Sequence, residues 1–338
     1  MKNKLFWPLV TLAVLLLANL IHNHDFFSIT IQDGHLFGSL IDILNRAAPL
    51  VLISIGMTFV IATKGIDLSV GSVVSISGAM ACLIISSGDG SSMSVLFTAL
   101  GISLLLALAA GAWNGLLVSL LGIQPIVATL ILMVAGRGVA QLITDGQILT
   151  ISSKTYSFIG AGYLFGLPFS IFIIAFFFII ASVLTRKTAV GLFIESVGTN
   201  PTASRLAGIR SGLIIFIVYL LCSFLSGIAG IILSSNVSSA DGNNAGLWYE
   251  LDAILAVVIG GNSLNGGRFS LSGTIVGALI IQTLTTSIYS MGVPPEVTLV
   301  VKSVVVLIVC LIQSETFGAV FAARRRKKDE TAKQGVSA

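Results

Sequence analysis

Asp67 and Ser69, in the run Gly65-Ile-Asp-Leu-Ser-Val-Gly71, are the residues whose types and spacing come closest to chemistry in this chain. A carboxylate at the centre of a bilayer costs about 2.5–3.5 kcal/mol on insertion scales, so Asp67 is expected at an interface or in a polar cavity. Two readings stand side by side. Asp67 or Ser69 caps the helix that follows, with the glycines permitting a tight turn. Alternatively the run is a re-entrant segment that touches a gate or a driving partner. A second turn, Gly260-Gly-Asn-Ser-Leu-Asn-Gly-Gly267, repeats the glycine–polar–glycine character. Non-helical chain at membrane depth is tolerated only against protein or a water cavity, so both turns point to irregular backbone near a central pathway.

The other polar residues inside apolar runs are Asn114, Thr129, Arg137, Gln141 and Gln282. Asn114, between Trp113 and Gly115, is expected to hydrogen-bond across a close helix contact. Arg137 must snorkel, pair or line a wet cavity. Asp67, Ser69, Asn114, Arg137, Gln141 and Gln282 together form the candidate pathway or gate set. Trp113 and Trp248 read as packing and interface anchors rather than as sugar-stacking platforms. No catalytic set is expected. No lysine stands in Gly-Lys-Ser/Thr, so ATP hydrolysis by a P-loop is excluded, and no His-Glu-x-x-His occurs. Cys82, Cys222 and Cys310 are spaced too far apart for a metal or redox motif and read as small buried hydrophobes. His22, His24 and His35 share one segment without matched acids, so no metal site is expected there either.

Composition sets the frame for these residues. Of the 338 residues, 55% are hydrophobic and 9% charged, against roughly 25% charged in a soluble domain. With a mean hydropathy of +1.03 the chain reads as an all-α polytopic membrane protein. Spans need about 20 apolar residues. About ten are expected, near 5–23, 46–63, 70–87, 95–121, 125–144, 168–185, 212–235, 251–267, 271–291 and 297–314, the eighth being short and Gly-rich at its end. Met1-Lys-Asn-Lys4 and the apolar run after it resemble a signal peptide without a cleavage site, hence an uncleaved first span. With the N-terminus inside, every basic residue except Arg46, Arg137, Lys154 and Lys302 falls on the cytoplasmic side, as the positive-inside rule asks. Both termini are then cytoplasmic. Residues 1–320 form one membrane domain and 321–338 a tail whose Arg324-Arg-Arg-Lys-Lys328 meets lipid headgroups. The net charge of +4 lies in short blocks and excludes a nucleic-acid partner. Two outer segments, His22–Asn45 and Asn236–Glu250, are long enough to fold over the external mouth.

Between Lys187 and Arg210 the chain leaves the membrane for its longest inner polar segment. Asn200 is a good N-cap, Pro201 suits the first helical position and Gly208 suits a left-handed exit. The short helix between them carries Ala203, Ser204, Arg205 and Leu206. Two turns do not persist alone in water, so this helix must dock on something, and a partner that drives this chain is the expected something.

Five pieces in order carry a resemblance: Gly65-Ile-Asp-Leu-Ser-Val-Gly-Ser72, Trp113-Asn-Gly115, Pro125-Ile-Val-Ala-Thr-Leu130, Val197-Gly-Thr-Asn200 with Ala203 to Ile209, and Glu250-Leu-Asp-Ala-Ile-Leu-Ala-Val-Val-Ile-Gly-Gly261. As an ordered set over about residues 40–315 they resemble the permeases of ribose/galactose-type ABC sugar importers. Asp42 to Pro49, Leu130 to Thr144 and Asn243 to Trp248 look most similar to the galactofuranose-importing branch. The resemblance implies a bacterial inner-membrane core of two paralogous permeases, a cytoplasmic ABC ATPase that carries ATP and Mg, and a periplasmic sugar-binding protein. It implies no cofactor on this chain, and it makes Asn200 to Gly208 the helix that couples to the ATPase. A stand-alone carrier or channel is the alternative, but such carriers bury acids as ion relays and no acid is expected mid-span.

Overall fold

Backbone groups in hydrocarbon must be satisfied within the segment, so apolar runs of spanning length become helices. The computed structural model describes residues 5–313 apart from Asn23 and Asp33. Its helices are α1 (Phe6–His22), α2 (Ser39–Ala62), α3 (Val70–Ser87), α4 (Met93–Ser119), α5 (Pro125–Ile143), α6 (Lys154–Ala161), α7 (Phe169–Lys187), α8 (Ala189–Thr199), α9 (Pro201–Leu206), α10 (Ser211–Val237), α11 (Tyr249–Ile259), α12 (Leu271–Ser290) and α13 (Pro295–Gln313). Seven of them are long and apolar enough to cross a membrane: α2, α3, α4, α5, α7, α10 and α12.

The centre of the bundle is α2, buried from Ala47 through Ala62, with α3, α10 and α12 around it. Small residues set the spacing. A side chain at Gly56 would strike Cys222 of α10, and one at Gly230 would strike the Val74 carbonyl of α3. In lipid such close backbone approach replaces the hydrophobic drive that packs helices in water. By contrast α5 and α7 leave Ile131, Val134, Leu142, Phe176 and Ile179 exposed, as helices facing lipid or another chain do.

Three two-stranded ribbons lie among the connections: β1 (Thr30–Gln32) with β2 (His35–Phe37), β3 (Ile148–Thr150) with β6 (Ser239–Asp241), and β4 (Tyr163–Leu164) with β5 (Leu167–Pro168), all antiparallel. One end of the bundle gathers the turn after α2, the α8–α9 pair and the turn before α12. There the Gly267 N–H donates to the Ala62 carbonyl at 2.9 Å and Lys64 Nζ to the Thr199 carbonyl at 3.0 Å. The other end is roofed by α6 and the ribbons, with the Tyr156 hydroxyl 2.6 Å from Ser234 Oγ.

Four expectations change. The second span begins at Ser39 and runs through Pro49 instead of starting near 46. The segment between Lys187 and Arg210 holds two helices, because its first half, α8, is itself an apolar helix of 11 residues. The expected span at 251–267 stops at Ile259. At about 1.5 Å per residue α11 covers roughly half of a ~30 Å hydrocarbon core. The rest of that window is a turn in which Gly261, Gly266 and Gly267 take φ of 84°, 74° and 88°, so a hydropathy window counted turn residues as helix.

The fourth change concerns the outer segment 236–250, which enters the bundle instead of covering it. After Ser238, left-handed at φ 52°, the chain descends beside α3. Ser75 Oγ donates to the Gly242 carbonyl at 3.2 Å, and four residues on, Gly246 lies against Gly71 and Val74. Residues 238–248 and α11 thus run in series, a non-helical half followed by a helical half. The basic tail 321–338 lies outside the described residues.

Candidate functional site

Local hydrogen bonding builds the α9 tip. Asn200 is extended at φ −154°, and its Oδ1 accepts from the backbone N–H of Thr202 and Ala203, both at 3.0 Å. Pro201 takes the first turn, where its missing N–H costs nothing. Gly208 leaves with φ 87°, and the Ile209 N–H returns to the Ser204 carbonyl at 2.9 Å. Buried Ser204 donates to the Asn200 carbonyl, and Ser211 Oγ ties Pro201 to the start of α10 at 3.0 Å. With its base fixed, the helix presents Ala203, Arg205 and Leu206 outward, Leu206 at 88% exposure. Its root is clamped: a Cβ at Gly198 would collide with the Ala62 carbonyl and the Gly267 nitrogen. The two glycine turns therefore meet at the base of α8–α9.

Asp67 and Ser69 follow neither reading in full. Ser69 stands at the N-cap of α3 yet makes no capping bond. Its N–H and Oγ both donate to Asp67 Oδ1, at 2.9 and 2.6 Å. Asn114 of α4 donates Nδ2 to Ser69 Oγ at 2.8 Å. Thr129 of α5 and Tyr219 of α10 each reach the Ile66 carbonyl, at 3.3 and 3.5 Å. Asp67, Ser69 and Asn114 are fully buried, so of the two placements expected for Asp67 the polar pocket inside the protein is the one its surroundings match. The segment is drawn inward and ties together helices distant in sequence, with Asp67 Oδ2 and Asn114 Oδ1 lacking a partner among the described residues.

Arg137 finds its partner in residues 238–248, the re-entrant segment that runs into the bundle beside α3. Its Nη1 donates to the Ala245 carbonyl at 2.6 Å, and Asp241 and Glu250 lie close enough to act on its charge. Gly71 leaves room for Glu250, since a Cβ there would strike the carboxylate. Gln141 lies exposed on the outer part of α5, and Gln282 donates to Thr286 on its own helix at 3.2 Å. Neither joins the Asp67 cluster or the Arg137 contact. Sequence reasoning does not reach Glu250, which falls in the segment expected outside, nor the ion pair of Asp252 with Lys302 of α13 at 2.5 Å, whose partners lie 50 residues apart. The acid-rich start Tyr-Glu-Leu-Asp of an apolar helix was the available signal. Behind the segment, between α3 and α10, lies a cavity of about 320 Å³ bordered by Gly78, Ser234, Asp241 and Asn244. Among the described residues no group of three or more His, Cys, Asp or Glu is placed to hold a metal ion.

Seven helices long and apolar enough to span, a half-helix after a non-helical segment inside the bundle, and an exposed helix on a clamped base describe a polytopic membrane protein. Residues 39–310 match the family described as branched-chain amino acid transport system / permease component, and the chain belongs to that family. It is similar to the galactofuranose transporter permease protein YtfT of Escherichia coli, 53% identical over 94% of this chain and 93% of that one. The fructose import permease protein FruF of Bifidobacterium longum is 40% identical over 97% and 92% of the two chains. The ribose import permease protein RbsC of E. coli is 36% identical over 91% and 92%. No solved structure matches the chain.

Proposed function

We propose that this chain is the membrane-spanning subunit of an ATP-driven importer, carrying a monosaccharide, galactofuranose first among them, across a bacterial inner membrane. The substrate reading rests on the 53% identity to the galactofuranose permease along nearly the whole of both chains. The drive reading rests on one observation: a capped, clamped, solvent-directed helix that offers bare Leu206 beside Arg205. An exposed apolar anchor with a charged rim suits a groove on another protein. The partner would be a cytoplasmic ABC ATPase, which supplies ATP and Mg chemistry. A periplasmic sugar-binding protein would load the outer end, and a second, paralogous permease would complete the core.

The ten-crossing scheme completes this proposal. The seven long helices are joined by α1, by α13, and by the 238–259 segment and half-helix acting as one crossing. An even count places both termini on one side, that of α9, and the distribution of basic residues makes that side the cytoplasm. The test is the double variant Arg205→Asp/Leu206→Asp. It is expected to insert normally and to lose sugar uptake, since an interface core tolerates no unpaired acid. Wild-type uptake by the inserted variant would overturn the assignment of α9.

A further inference from the structure

We infer that the re-entrant segment Asp241–Trp248 is where the permease itself touches the sugar, with the Trp248 indole as a stacking platform; this deepens the function proposed above and rests on it. The segment lies at the depth of Gly71–Ser75, the first turns of the spanning helix α3, as the Ser75–Gly242 hydrogen bond and the Gly71–Gly246 contact fix it. Non-helical backbone at that depth must be covered by protein or line water. Asn243 and Asn244 are exposed there, and exposed amides at membrane depth call for water, not lipid. The same stretch ends in Trp248, 44% exposed and held at φ 68°, a left-handed conformation costly for an aromatic residue. Strain of that kind persists only where the surroundings over-determine it, and it gathers at ligand contacts.

The surroundings here are specific. Arg137 holds the Ala245 carbonyl, Asp241 Oδ1 accepts the backbone N–H of Asn243 and Asn244 at 2.8 and 3.1 Å, and α11 starts directly after the indole. Asn244 Nδ2 is committed to Asp241 Oδ2 at 2.8 Å, whereas Asn243, which is exposed, spends only its backbone N–H on Asp241. An indole face and an amide suit a monosaccharide ring, whose C–H face is apolar and whose rim is hydroxyl. One stacking surface without an enclosing pocket binds weakly, as a pathway requires if the solute is to leave again.

The test uses the complete importer in proteoliposomes, with its ATPase, second permease and binding protein, and measures galactofuranose uptake beside ATP hydrolysis stimulated by the loaded binding protein. Trp248→Leu is expected to lower uptake by about tenfold, on the order of one aromatic contact, with stimulated hydrolysis within about twofold of wild type. Trp248→Phe, which keeps a ring face, is expected to retain at least about half of the uptake. Unchanged uptake in Trp248→Leu would overturn the stacking role. So would a parallel loss of uptake and hydrolysis in both variants, which would make Trp248 structural. Absence of uptake of any monosaccharide by the wild type would instead defeat the sugar reading itself.

Discussion

Asp67 sits in a buried polar cluster whose hydrogen bonds join separate elements. Ser69 gives it two hydrogen bonds and Asn114 reaches Ser69 from α4, so one hydroxyl joins the turn after α2 to two helices. Removing that hydroxyl takes away one of the two donors Ser69 gives Asp67 and the acceptor that Asn114 Nδ2 uses, which costs about 1–3 kcal/mol. Ser69→Ala is therefore expected to lower the unfolding midpoint of the detergent-solubilised protein by several degrees; an unchanged midpoint would show that the cluster does not support the fold. Sequence made these residues candidates but not their arrangement. A Gly-Ile-Asp-Leu-Ser-Val-Gly run fits a cap as well as an insertion, and only the approach of Asn114 and Tyr219, 45 and more residues away, decides between them. The same holds for Arg137: its need of a partner was legible, while Ala245, 108 residues on, was not.

Elements divide along the same line. The α9 tip was legible to the residue because each of its contacts spans ten residues or fewer, from the Asn200 cap to the Ser211 tie. α11 was not, because a hydropathy window cannot tell a spanning helix from a half-helix that continues into an apolar turn. What joins these elements is contact at the root of α8, where Gly198 lies against the Ala62 carbonyl and Gly267. No flexible side-chain end is available to move aside; both obstacles are backbone. Gly198→Ala is therefore expected to displace α8–α9 from the end of α2 and to reduce binding-protein-stimulated ATP hydrolysis by roughly tenfold or more, because coupling needs contiguous contact between the two sites. Stimulation equal to wild type would mean that the clamp carries no signal.

At the scale of the whole molecule, the proposed importer draws its energy from a partner ATPase. In the proposed importer a loaded binding protein would drive the chain by favouring one conformation over another, and α9 is proposed to pass that bias to the ATPase. The bundle has the layout for this, with a roof of α6 and ribbons at one end, the clamped α8–α9 pair at the other, and the re-entrant half-crossing between them. The exposed apolar faces of α5 and α7 are open to lipid or to another chain. The most direct measurement is sugar uptake into proteoliposomes holding this chain, its paralogue and the ATPase, with ATP inside and binding protein outside. Galactofuranose accumulation that requires ATP, the loaded binding protein and all three chains is the predicted result. Accumulation that proceeds without ATP and follows an imposed ion gradient would contradict it.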